Sequence, residues 1–354
     1  MAPRRPFGLG RLWPMPLLAV LAVGLAALAG AGVMAGCTGQ DDPPEVVVYC
    51  SADQDVAQPI LEEFHKQTGI AVLARYDSEA SKTVGLVQRL RAEARSPLAD
   101  VFWSNEVFHT LALAKEGLLA PVELPGAATW PERYRDAQGR WYGFALRARA
   151  IAYSTQRVAA EAAPRRLEEL TEVKWKGRVV MAAPQFGTTG GDVASWFVHY
   201  GPQKAKAILQ GLAANGVRLV GGNSMAVRAV YNGQADVALT DTDDVYAAQR
   251  NGWPVAMNYL DQGGEGVLAF PNTVACIRGC PHPRQARRLM EFLLSERVER
   301  LLAGGDAHNT PVRPELAGQF PKYAIPKLLE VDYAGVSQAL PSAVQAATEI
   351  LEAK

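Results

Sequence analysis

The 354-residue chain has only four cysteines and five histidines, and neither sign of charge is in excess. No cysteine and histidine stand at the spacing of a zinc site, which excludes a structural zinc domain. Basic and acidic residues number 36 each, so the composition gives no basic surface of the kind that binds nucleic acid. None of the histidines lies in a loop with other candidate catalytic side chains, which argues against a hydrolase. We therefore expect neither a nucleic-acid partner nor an enzyme.

One long apolar run near the N-terminus predicts export. Three arginines precede an uncharged stretch that runs from Met15 to Gly36, in the order of a secretory signal. The run is also long enough to span a bilayer, so an uncleaved anchor is the alternative. The residues before Cys37 resemble the lipobox of bacterial lipoproteins, which implies cleavage there and a lipid on Cys37. We predict a signal peptide over 1–36, a flexible tether over 37–45 and a lipid-anchored protein in the periplasm or on the cell surface.

The other three cysteines have local explanations. Cys276 and Cys280 flank a three-residue turn, where a disulfide is possible outside the cytoplasm. Cys50 ends an apolar strand, and we expect it to be a buried thiol.

Short apolar strands alternate with amphipathic helices in the first half of the chain. A β-branched run at 46–49 is typical of a strand buried on both faces. Strands at 70–76 and 100–103 and a helix at 56–68 follow, and this order predicts right-handed βαβ units. Polar side chains that follow such strands lie where parallel sheets bind ligands, although they also cap helices. The candidates here are Ser51, Asp53, Ser78, Glu79, Ser104 and Asn105.

A second α/β unit begins near residue 144. Arg147 and Arg149 are two residues apart on a predicted strand and therefore share a face. They indicate either a solvated edge or a site for an anion. Glycines and threonines precede a helix predicted from Val193, and their backbone N–H groups could hold an anion. The candidates in this unit are Gly187, Thr188, Thr189, Asn223 and Ser224.

An acidic loop follows the apolar strand 237–239. Thr240 to Thr242 form a predicted polar turn with Thr242 as N-cap, and Asp243 and Asp244 open a helix that runs to Gln249. Helix-dipole stabilisation explains one or two of these carboxylates. Three carboxylates within four residues repel one another unless a positive charge offsets them. We therefore predict a ligand cleft here, with Asp241, Asp243 and Asp244 as candidate metal ligands and Thr240 beside them.

Together these segments resemble the solute-binding lipoproteins of bacterial ABC importers, in the ferric-iron-binding branch of the two-lobed periplasmic binding proteins. The segments that carry the resemblance are 48–51, 68–72, 99–104, 147–153, 175–179 and 271–275. It implies an α/β fold of type II, with parallel-type sheets flanked by helices and a hinge of crossing strands. We assign 46–148 and about 256–282 to lobe 1, 149–255 to lobe 2, and 283–354 to helices that pack on the lobes. It also implies a membrane permease as partner, no cofactor and a monomer.

The acidic loop departs from this family. Ferric-binding relatives carry adjacent tyrosines after this strand, where the present chain has Asp243 and Asp244, with Tyr246 offset. Carboxylates suit a hard cation but lack the phenolate's affinity for iron(III). They suit equally the ammonium group of a zwitterion such as an amino-phosphonate, whose anionic end would lie on Ser51, Thr188 and Thr189. Iron(III) or another hard metal ion is our first hypothesis, and a structural lipoprotein is a further alternative.

Overall fold

The computed structural model describes residues 44–77 and 83–353, which belong to a single structural unit, Asp42–Lys354. The predicted signal peptide, Cys37, Ser78 and Glu79 lie outside the described residues. Within those residues, no helix has the length and apolar character needed to cross a membrane.

The described residues form ten strands and eleven α-helices. The strands are β1 (Glu45–Cys50), β2 (Ala71–Tyr76), β3 (Val101–Ser104), β4 (Leu119–Ala120), β5 (Tyr142–Ser154), β6 (Val179–Ala182), β7 (Arg218–Val220), β8 (Val237–Asp241), β9 (Val255–Tyr259) and β10 (Ala269–Ile277). The helices are α1 (Gln54–Thr68), α2 (Val84–Ala92), α3 (Phe108–Lys115), α4 (Gly187–His199), α5 (Pro202–Ala214), α6 (Asn223–Tyr231), α7 (Thr242–Arg250), α8 (Pro283–Leu293), α9 (Glu296–Gly304), α10 (Pro314–Ala317) and α11 (Tyr333–Leu351).

The long strand β5 joins two sheets. Sheet A contains β1 with its parallel neighbours β2 and β3, and β10 runs antiparallel to β3, to β4 and to the first half of β5. Sheet B contains the second half of β5 with antiparallel β8 and β9, and β6 runs parallel to β7 and β8. All thirteen residues of β5 are buried. Two helix-flanked α/β sheets joined by a crossing strand confirm the expected fold class.

Strand β9 lies in sheet B, although we expected the first lobe to resume at about residue 256. It pairs with Ala150–Ser154 of β5. Only four residues, 251–254, connect α7 to β9. Because this connection is short, β9 pairs within sheet B, the sheet that already contains β8. The chain then reaches sheet A at β10.

Two local boundaries also differ from our expectations. Strand β8 extends through Asp241, so Asp241 and not Thr242 is the N-cap residue of α7. Helix α4 begins at Gly187 and not at Val193. Its glycines disfavour a helix by propensity, but Gly191 lies against the ring of Phe108, and tertiary packing of this kind overrides propensity. The glycine–threonine stretch is therefore the first two turns of a helix.

The C-terminal helix α11 contacts elements from both halves of the chain. It packs against α3 and against α4 and α5. Ser337 of α11 donates a hydrogen bond to the backbone oxygen of Phe108. The α11 helix therefore braces the junction between the two sheets.

Cys276 and Cys280 are close together but not bonded. The Sγ atoms of Cys276 and Cys280 lie 3.6 Å apart, which is well beyond the length of a disulfide bond. Cys50 is fully buried.

Gly191→Ala should destabilise the protein, because the added Cβ would lie 2.2 Å from a ring atom of the fully buried Phe108. We expect the free energy of unfolding in urea to fall by about 1–3 kcal/mol. Gly304→Ala is the matched control, since a Cβ there would be 3.7 Å from Phe320. The control should be neutral or gain up to about 1 kcal/mol. Equal effects of the two substitutions would contradict the close helix contact.

Candidate functional site

A small cavity of about 20 Å³, with room for roughly one water molecule, lies at the carboxyl ends of strands from both sheets. Its lining residues follow β1, β3, β6, β7 and β8, and β5 contributes one side chain. Nine of the predicted residues line it: Asp53, Asn105, Arg147, Gly187, Thr188, Asn223, Asp241, Asp243 and Asp244. Phe186, Gly221 and Gly222 line it as well. Sequence reasoning missed these three, although each closely follows a strand end.

The other described candidates either form hydrogen bonds to residues that line the cavity or lie outside it. Ser51 and Thr189 form hydrogen bonds to the Oδ1 atoms of Asn105 and Asn223, respectively. Thr240 donates to Asp244 Oδ2 at 3.3 Å. Ser104, Arg149 and Ser224 do not line the cavity; Ser104 is buried beside Glu106, and Ser224 is exposed on α6.

Arg149 is fully buried between two carboxylates. Its Nε donates to Asp192 Oδ2 at 2.9 Å and its Nη1 donates to Asp241 Oδ1 at 2.6 Å. Burial disfavours the charged guanidinium, but the two carboxylates outweigh it and raise the pKa of Arg149. Burial also raises the pKa of Asp192, an effect that Arg149 only partly offsets. The alternative of a solvated arginine edge is therefore wrong.

Asp241 is held on both of its oxygens. Besides Arg149 on Oδ1, its Oδ2 accepts hydrogen bonds from Thr188 Oγ1 at 2.5 Å and from Asn223 Nδ2 at 3.0 Å. Burial alone would raise the pKa of Asp241, but Arg149, Arg147 and these hydrogen bonds together lower it below its usual range. Asp241 is therefore a charged anchor within the second lobe, and its carboxylate has little capacity left for a ligand.

Arg147 reaches from the sheet A half of β5 to the first turn of α7. Its Nη1 donates to Asp243 Oδ2 at 2.9 Å, and its Nε lies 3.8 Å from Asp241 Oδ2. Burial disfavours its charge, but the carboxylates around it raise its pKa. We inferred a ligand cleft from the repulsion among these carboxylates. In the structure Arg147 and Arg149 already offset Asp241 and Asp243, so that repulsion does not by itself require a ligand.

One oxygen each from Asp241, Asp243 and Asp244 lies within 4.8 Å of the others, so the three carboxylates have the spacing of a metal site. None of the described residues that line the cavity is a tyrosine. The Tyr246 hydroxyl lies 3.4 Å from that of Tyr259, and burial raises the pKa of Tyr246. Hard carboxylate oxygens are therefore the anionic ligands that this cavity offers.

Four helices, α1, α4, α6 and α7, begin at the cavity, and none has a side-chain hydrogen bond at its N-cap. Their N-terminal N–H groups favour negative charge. The hydroxyls that we expected to hold an anion are engaged within the protein, since Ser51 contacts Asn105, Thr188 contacts Asp241 and Thr189 contacts Asn223. An anion in the cavity would therefore meet N–H groups and not these hydroxyls.

Asp241→Asn should cost about 3–5 kcal/mol of unfolding free energy, because Arg149 would lose a buried charge partner. Asp306→Asn removes one side of an exposed ion pair with Arg250 and should cost no more than about 1 kcal/mol. The lowered pKa of Asp241 means that its contribution is complete above about pH 4 and is lost as the pH falls further. Urea titrations between pH 3 and 8 would measure how far the unfolding free energy of each variant falls below that of the wild type. Similar losses for both variants would show that Asp241 is not an anchor.

Comparison with known proteins agrees with this architecture. Residues 96–335 match the family model described as bacterial extracellular solute-binding protein. The "Iron uptake protein A1" of Synechocystis sp. (strain ATCC 27184 / PCC 6803 / Kazusa) is 28% identical over 84% of this chain and 86% of its own. A "Putative 2-aminoethylphosphonate-binding periplasmic protein" of Salmonella typhi is 27% identical over 70% of this chain and 71% of its own.

Among solved structures, iron-bound HitA from Pseudomonas aeruginosa superposes with a TM-score of 0.77 and 26% identity, over 87% of this chain and 99% of that one. The resemblance inferred from the sequence is confirmed. This chain belongs to the family of bacterial extracellular solute-binding proteins.

Proposed function

We propose that this chain is the extracytoplasmic solute-binding component of an ABC importer. Its relatives include proteins named for iron uptake and for periplasmic binding, and its N-terminal residues resemble a lipoprotein signal. In this proposal the chain is cleaved before Cys37, is held at the membrane by a lipid on that cysteine, and acts as a monomer. It delivers its solute to a membrane permease, and we expect no turnover by the purified protein.

The proposed solute is iron(III) or another hard metal ion. The observation that carries this proposal is the convergence of three carboxylates within 4.8 Å in a cavity between the two sheets. Because Asp241 is engaged by Arg149, the metal would be held chiefly by Asp243 and Asp244 of the second lobe. Asp53 faces the same cavity from the first lobe. Carboxylate oxygens are the ligands that hard cations prefer.

A zwitterion such as an amino-phosphonate is the second candidate. The position of Arg147 favours it, because a buried guanidinium lines the cavity beside the acidic pair. The ammonium group would contact Asp243 and Asp244, and the phosphonate would lie near Arg147 and the helix N-termini. The name of the Salmonella relative, which refers to binding of 2-aminoethylphosphonate, supports this second candidate.

Asp244→Asn tests the acidic pair formed by Asp243 and Asp244, and it leaves Asp241 unchanged. We expect it to weaken binding of ferric citrate or of 2-aminoethylphosphonate by about ten- to a hundredfold, measured by calorimetry, since a paired charge contributes about 1.5–3 kcal/mol. Asp306→Asn is the matched control, because Asp306 is exposed, pairs with Arg250 and does not line the cavity. The control should bind like the wild type. If the wild type bound neither compound, or if both variants lost affinity equally, the proposed site would be wrong.

Closure of the lobes is a separate expectation. The only strand that pairs with both sheets among the described residues is β5, so we propose that a hinge motion about β5 closes the cleft on the solute. Small-angle X-ray scattering should show a smaller radius of gyration at saturating ligand. An unchanged scattering profile at saturation would exclude closure.

A further inference from the structure

A tight turn between β10 and α8 brings two cysteines together. Cys280 donates its backbone N–H to the oxygen of Ile277 at 3.2 Å, which closes a four-residue turn. Gly279 occupies the third position of this turn with a φ of 74°, a left-handed conformation that glycine adopts without steric cost. The turn reverses the chain, and the Sγ atoms of Cys276 and Cys280 lie 3.6 Å apart as a result.

Hydrogen bonds to neighbouring elements hold this turn in place. The N–H of Ile277 donates to the backbone oxygen of Asp100 at 2.9 Å. The N–H of Arg278 donates to the backbone oxygen of Leu118, also at 2.9 Å. After the turn, the N–H of His282 donates to the buried carboxylate of Asp100 at 2.6 Å. Because the chain is anchored on both sides of the turn, the two sulfur atoms stay close together.

The two thiols differ in accessibility and in acidity. Cys276 is only 3% exposed, whereas Cys280 is half-buried. A hydrogen bond from Cys276 lowers the pKa of the Cys280 thiol, and the same hydrogen bond together with burial raises the pKa of the Cys276 thiol. Because the thiolate is the reactive form of cysteine, Cys280 is the member of the pair that an external reagent meets first.

We propose that Cys276 and Cys280 form a redox pair, which a disulfide donor oxidises to an intramolecular disulfide in the exported protein, and that this bond braces the junction between β10 and α8. Compartments outside the cytoplasm are oxidising, and such bonds form there by thiol–disulfide exchange. This inference does not depend on the solute, because neither cysteine lines the cavity in the cleft.

The exchange has two steps. The thiolate of Cys280 attacks one sulfur of the donor disulfide, breaks its S–S bond and releases a donor thiolate. Cys276 then loses its proton to solvent, attacks Sγ of Cys280 and releases the second donor thiolate. The cysteines thereby lose two protons and two electrons, and the donor disulfide is reduced to two thiols. The new bond requires the sulfur atoms to approach by about 1.6 Å from their separation of 3.6 Å, which side-chain rotation provides.

The bond joins the end of β10 to the segment that leads into α8, a helix that packs against β10. We expect the oxidised protein to unfold at a temperature about 2–5 °C above that of the reduced protein, because the bond restricts the unfolded chain over a short loop. Scanning calorimetry with and without a reductant measures this shift. Equal unfolding temperatures for the two forms would refute the brace.

Digestion after Arg278 tests the bond itself, because this residue lies between the two cysteines. Protein prepared from the periplasm is alkylated in urea without a reductant and then digested with trypsin. The peptide that ends at Arg278 and the peptide that begins at Gly279 should remain joined, and a reductant should separate them with a total mass gain of about 2 Da. Cys50→Ala removes the buried cysteine of β1 and is the control, in which the peptides should also stay joined. Two separate, alkylated peptides from the unreduced wild type would refute the disulfide.

Single substitutions test which cysteine reacts first. Both variants are purified in reduced form, treated with oxidised glutathione and followed by mass spectrometry. Cys276→Ala should accumulate a mixed disulfide on Cys280, whereas Cys280→Ala should react at least about tenfold more slowly, because the Cys276 thiol is buried. Equal rates would overturn the assigned order. If a variant does not fold, brief alkylation of the reduced wild type decides, since the label should appear on Cys280 before Cys276, and the reverse order would refute the assignment.

Discussion

The positions of the second-lobe groups in the cleft depend on the buried charge of Arg149. This side chain lies on the crossing strand β5 and binds Asp192 of α4 and Asp241 at the end of β8. Asp241 in turn holds Thr188 and Asn223, the residues through which α4 and α6 reach the cavity. A buried ion pair adds little net stability compared with apolar packing, but it penalises any arrangement that separates its members. The network therefore fixes where three helices begin relative to one strand.

Two residues earlier on the same face of β5, Arg147 has a different role. Arg149 pairs opposite Asp241 within sheet B, whereas Arg147 pairs opposite Phe270 in sheet A and extends to Asp243 on α7. One arginine therefore stabilises the second lobe internally, and the other connects the two lobes. A solute that binds the carboxylate of Asp243 competes with Arg147 for that oxygen. If the solute binds Asp243 as proposed, its binding and the contact between the lobes are coupled through this carboxylate.

The strands and their exit loops could be predicted from the sequence because continuous β-branched runs mark buried strands directly. The start of α4 could not, since its glycines make room for Phe108, a contact between residues far apart in the sequence. The partners of the two arginines could not be predicted either. Periodicity places Arg147 and Arg149 on one face, but Arg149 and Asp241 are 92 residues apart, and no local pattern reveals that pairing. Residue type likewise predicted polar groups at the cavity without showing which hydroxyls are already engaged inside the protein.

Those internal hydrogen bonds determine what the cavity can bind. The carboxylates of Asp53, Asp243 and Asp244 would by themselves attract any cation. They are opposed by Arg147 and by four helix N-termini, each equivalent to roughly half a positive charge. The field in the cavity is therefore mixed, unlike that of a simple cation trap, and it favours a solute whose own charges are mixed. Without phenolate ligands to neutralise a trivalent ion, a hard metal would be held best together with an anion that offsets the charge of Arg147 and the helix N-termini. A zwitterion meets the same electrostatic requirement in one molecule, which is why the two candidate solutes share a site.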